Sequence, residues 1–80
     1  MDDIEIVRRI GHLAEEEHAL ERSHAADGLS SDEMKRMREL EVALDQCWDL
    51  LRQRRARRGS GQNPDDASVR PEGVVEGYQQ

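Results

Sequence analysis

Leu40, Leu44, Cys47 and Leu51 recur in alternating steps of four and three through the stretch LEVALDQCWDLL. That spacing lines them up along one side of a helix, the seam into which a second helix packs. Trp48, the single tryptophan, falls beside the line, Ala43 and Leu50 flank it on the other side, and Val42 lies further round. The apolar band is therefore wider than one partner helix covers. A second copy of the chain, or another protein, is expected to cover the remainder.

The helix carrying this band has a clear start. Ser30-Ser31-Asp32-Glu33 reads as a capping box, in which the Ser30 hydroxyl accepts from the Glu33 amide and the Glu33 carboxylate reaches back to Ser30. Leu29 and Met34 sit where a hydrophobic staple would fix the angle of approach. No glycine or proline then interrupts the chain until Gly59. Upstream, Ile6, Ile10, Leu13 and Leu20 repeat in similar steps, with Val7 and Ala14 alongside and Glu17 and His24 in seam positions. Asp2 or Asp3 can cap this first helix, and Asp27-Gly28 signals its end near Ala25 or Ala26. The predicted fold is all-α: an antiparallel hairpin over residues 1–58, with helices at about 3–26 and 31–58.

A connection this short sets Ile6 opposite Leu51, Ile10 opposite Cys47 and Trp48, Leu13 opposite Leu44, and Glu17 opposite Leu40 or Glu41. Charge supports the same register. Residues 1–33 carry a net −7, residues 34–58 a net +4 and residues 59–80 a net −3. The acidic start, Asp2, Asp3 and Glu5, then falls beside Arg52, Arg54 and Arg55. With 38% charged and 2% aromatic residues, a β-sandwich is a poor fit to this composition.

Beyond Gly59 the chain becomes rich in Gly, Pro, Asp and Ser, so residues 59–80 read as a flexible tail. Val74, Val75 and Tyr78 have helical spacing and form the one candidate docking element in it. Eighty residues with one cysteine allow a single small core and no internal disulfide. Such a core is marginal without self-association, so a homodimer forming a four-helix bundle is predicted, with Trp48 near the interface. The Met-Asp-Asp start has no signal-peptide character and no apolar run approaches membrane-spanning length, which points to the cytoplasm and away from membranes.

LDQCWDLLRQRRARR, with EEEHAL before it, LSSDE at the turn, and DDASVRP and EGYQQ after it, resembles a family of short actinobacterial proteins catalogued as domain-of-unknown-function family 2630. The resemblance spans nearly the whole chain. It implies a cytoplasmic bacterial protein, and it brings no established functional residue with it.

No nucleotide-binding or catalytic signature is present, and Cys47, on the seam, reads as a small apolar residue with no histidine placed to activate it. Glu15-x-x-His18 shares a helix face, a pair used in carboxylate-bridged di-metal bundles, and Glu41 could add a carboxylate from the second helix of each copy. His12, His18 and His24 are six apart and cannot ligate one ion from one helix. Arg52, Arg54, Arg55, Arg57 and Arg58 form a basic patch that could meet phosphates, but it has no interleaved aromatic and suits the negative end of its own helix. The balance favours a non-catalytic interaction module without a cofactor: a dimeric hairpin that binds another protein. A homodimeric di-metal carboxylate bundle with a redox or storage role, and a small nucleic-acid-associated protein using Arg52–Arg58, are the alternatives.

Overall fold

The computed structural model of the chain describes residues 1–23 and 28–75. Two long helices, α1 (Asp3–Ser23) and α2 (Ser31–Gly59), pack against each other as a hairpin. A 3-10 turn (Pro64–Asp66) and a short α3 (Glu72–Val75) follow, and both contact α2. The body is elongated, 51 × 24 × 17 Å. All regular structure among the described residues is helical.

Both long helices begin in capping boxes. For α2 the Glu33 amide donates to Ser30 Oγ at 3.2 Å and the Ser30 amide to Glu33 Oε1 at 2.9 Å, as the sequence predicts. Met34 is 59% exposed, so the polar box alone marks this start. For α1 the cap is Asp2: its Oδ1 accepts from the Glu5 amide at 2.8 Å, and its own amide donates to Glu5 Oε1 at 3.2 Å. Asp3 is thereby left for a different task. The expected end of α1 at Ala25 or Ala26, the Asp27 stop and the seam residue His24 lie outside the described residues. Gly28 has φ +74°, a left-handed conformation that suits glycine at the turn between the helices.

The hairpin core is thin. Ile6 and Leu40 are fully buried, and Leu44, Cys47 and Leu50 nearly so. Ile6, Cys47 and Leu50 form one cluster, with Ile10, Leu13 and Leu51 packed against it. At the open end of the hairpin, Asp3 of α1 accepts from Arg54 Nε at 2.5 Å and from Arg58 Nη2 at 2.7 Å. Nearer the turn, Glu16 pairs with Arg36. Opposite charge on the two helices thus brackets the apolar seam at both ends.

The segment after Gly59, expected to be a flexible tail, has a defined course over residues 60–75. Gly61, with φ +76°, helps turn the chain back on itself. The Ser60 amide donates to Ala56 O and the Gln62 amide to Arg57 O, which fastens the reversal to the last turn of α2. Asn63 then caps the 3-10 turn through a 3.0 Å bond to its side chain from the Asp65 amide. Pro64 at the head of that turn begins an element here, where composition suggests a break. The returning strap runs along α2 and places Ala67 against the Ile6–Cys47–Leu50 cluster. Val74, in α3, is 50% exposed, and Tyr78 lies outside the described residues.

Candidate interaction surface

α2 presents three sides, two of them covered and one open. The first carries Leu40, Leu44 and Cys47 and packs on α1. Burial pushes the Cys47 thiol above its usual range, offset in part by the charge of Arg9 and a hydrogen bond from it. This is the environment of an inert core thiol rather than a nucleophile.

The second side is polar and meets the strap. Gln46, Asp49 and Gln53 recur along it in steps of three and four. Gln46 Nε2 donates to Arg70 O at 3.2 Å, and Gln53 Nε2 donates to Ser68 O at 2.7 Å and to Asp49 Oδ2 at 2.8 Å. The Asp49 carboxylate is 1% exposed and lies 3.6 Å from Arg70 Nε. A carboxylate taken this far from water needs such partners. Arg54 joins all three parts of the chain: besides Asp3 of α1, its Nη1 donates to Pro64 O at 3.2 Å and to Asp65 Oδ1 at 2.9 Å. The bonds from Arg54 and Arg58 hold the Asp3 carboxyl below its usual range, and the bond from Arg36 does the same for Glu16.

Leu50 therefore differs from expectation. Its place in the sequence puts it on a flank left for a second chain, but it is 6% exposed within one chain, closed by Ile6, Cys47 and Ala67. The strap that covers this edge was missed because its anchors are polar. The readable sign was the row Gln46, Asp49, Gln53: two amide donors along one helix edge, suited to the free carbonyls of an extended segment, with a carboxylate between them suited to a cation.

The third side stays open. Trp48 is 37% exposed and, with Leu51, Arg52 and Arg55, lines a shallow cleft of about 250 Å³. Along the same helix, Glu41, Leu44 and Asp45 line a second cleft together with Glu17 of α1. Glu17 is half-buried at this seam position, beside Glu41 as the register predicts. Val7, on α1, is 57% exposed.

The remaining predicted site residues are dispersed. The five arginines do not form one patch: Arg54 and Arg58 are bonded to Asp3, Arg57 Nη1 donates to Gln62 Oε1 at 3.4 Å, and Arg52 and Arg55 lie at the Trp48 cleft. Glu15 and His18 are exposed on α1, with His18 Nδ1 at 3.8 Å from Glu21. Among the described residues of one chain, no three of His, Cys, Asp and Glu converge as a metal site would require. No helix among them is long and apolar enough to cross a membrane.

Comparison with known proteins gives a family for this arrangement. Residues 2–80 match the family described as "Protein of unknown function (DUF2630)". The chain belongs to that family. DUF2630 relatives include uncharacterised proteins of Mycobacterium tuberculosis (strain H37Rv) and Mycobacterium bovis. Each is 49% identical over 77 residues, which is 95% of this chain and 88% of the relative. No solved structure matches this DUF2630 chain.

Proposed function

We propose that this DUF2630 protein is a non-catalytic helical interaction module of the bacterial cytoplasm that self-associates and binds another protein. One observation carries the reading: α1 and the strap close two sides of α2, yet its single tryptophan stays 37% exposed on the third, beside the half-buried Leu51. An aromatic ring and a leucine at a shallow groove with charged margins are the composition of an interface centre. A core this thin gains from such cover, because about 1.5–3 kcal/mol accompanies full burial of each large apolar side chain. Exposed acidic residues on α1, Glu15 and Glu21, leave negative charge on the outer surface for the protein partner. The dispersal of the arginines between Asp3, Asp65 and the Trp48 cleft favours this reading over a phosphate-binding patch.

Sedimentation equilibrium at tens of micromolar protein tests it. Wild type should give twice the 9.2 kDa chain mass, and Trp48→Glu should give the chain mass with its helical circular dichroism retained. A wild-type protein that stays monomeric throughout this range refutes the reading.

A further inference from the structure

The open side of α2 carries an ordered charge pattern. Glu41, Asp45, Trp48, Arg52 and Arg55 follow one another in steps of four, three, four and three. They therefore form a single line along the helix, with Leu44 and Leu51 beside it. The two residues before Trp48 in this line are acids, and the two after it are arginines. Glu41 and Arg55 each lie seven residues from Trp48, and Asp45 and Arg52 lie three and four residues from it. The pattern is antisymmetric in charge about the tryptophan.

Such a line complements itself in one orientation only. Two parallel copies in register set acid on acid and arginine on arginine. Two antiparallel copies with the two-fold axis at Trp48 set Glu41 of each on Arg55 of the other, and Asp45 beside Arg52. A two-fold interface requires this kind of self-complementarity, and opposed like charges are costly. We propose that the partner on this side is a second copy of the chain, paired α2 to α2, antiparallel, with Trp48 at the axis and Glu41–Arg55 pairs at both margins. This rests on the self-association proposed above and specifies its geometry. The strap lies on a different side of α2, so it stays in place in the dimer.

Cross-linking reads the register directly. Within one chain, residues 41 and 55 are fourteen positions apart on one helix, about 21 Å, too far for a disulfide. Glu41→Cys and Arg55→Cys, each in a Cys47→Ala background, are prepared separately, then oxidised alone and as a mixture. The mixture should give a covalent dimer whose linked peptides join position 41 to position 55, and neither variant alone should link at a comparable rate. A charge-swap series without cysteines gives a second reading. Glu41→Arg or Arg55→Glu alone should weaken dimerisation roughly tenfold or more, and the double variant should restore it. Fast 41–41 and 55–55 links, or a wild-type dimer with neither a 41–55 link nor rescue, overturn the register and leave self-association standing. A monomeric wild type overturns both.

Discussion

Leu50→Ala separates the two ways in which a flank of α2 can be covered. Leu50 is 6% exposed and packs in a cluster with Ile6 and Cys47, closed over by Ala67 of the strap. Buried Leu→Ala changes cost about 2–5 kcal/mol, more where the surroundings cannot collapse into the space. Here one wall is an extended strap that can settle inward, which places the cost in the lower part of that range, about 3 kcal/mol. An 80-residue domain typically holds about 4–12 kcal/mol in total, so the loss is a large share. Each kcal/mol lowers the midpoint by about 4–8 °C in a domain of this size, giving a fall of about 12–24 °C. Urea and thermal unfolding followed by far-UV circular dichroism measure it, and sedimentation at low temperature measures association in the same variant. The expected result is a large stability loss with dimerisation kept under folding conditions. A stability loss under about 1 kcal/mol together with lost self-association would refute the reasoning, because Leu50 would then lie between copies and not beneath the strap.

Two further outcomes follow from the charges and the thiol. Asp3 and Glu16 titrate below their ordinary values of 3.8 and 4.5 in the folded chain, so folding favours their ionised forms. Their stabilisation is whole above those ordinary values and drains away as pH falls through the lower folded ones. The melting temperature should drop on acidification from about pH 6 to about pH 3, and Asp3→Asn should lower it near neutrality while flattening that dependence. An unchanged acid dependence in Asp3→Asn would remove Asp3 from the account. Cys47, buried and raised by that burial, should react with a soluble thiol reagent at neutral pH only as fast as the chain opens, and at full rate in denaturant. Rapid reaction in the folded protein would contradict its place in the core.

The hairpin was legible because several independent signals agree in the sequence. The steps joining Leu40, Leu44 and Cys47 find their residues buried and the Ser30–Glu33 box is formed; of the expected Arg52, Arg54 and Arg55, Arg54 meets the acidic start of α1 at Asp3, where Arg58 joins it. The partition of charge between Asp2 and Asp3 was less visible, since either can cap a helix and only the position of Arg54 decides between them. The course of residues 60–70 was not legible. Gly, Pro and Asp are as frequent in a mobile tail as in a segment held by its backbone carbonyls. The anchors, Gln46 and Gln53 to Arg70 O and Ser68 O, act on main-chain atoms that carry no sequence signature. That omission made the apolar band of α2 look less covered than it is. With Leu50 removed from it, the exposed remainder narrows to the line through Trp48, and the case for a second copy rests there.

The fluorescence of Trp48 against protein concentration tests that case most directly, because the chain has no other tryptophan. As the wild-type protein is taken from well below micromolar to tens of micromolar, its emission should move to shorter wavelength in step with the doubling of mass, as water leaves the indole. An emission spectrum unchanged across a range in which the mass doubles would place the interface elsewhere and contradict the account.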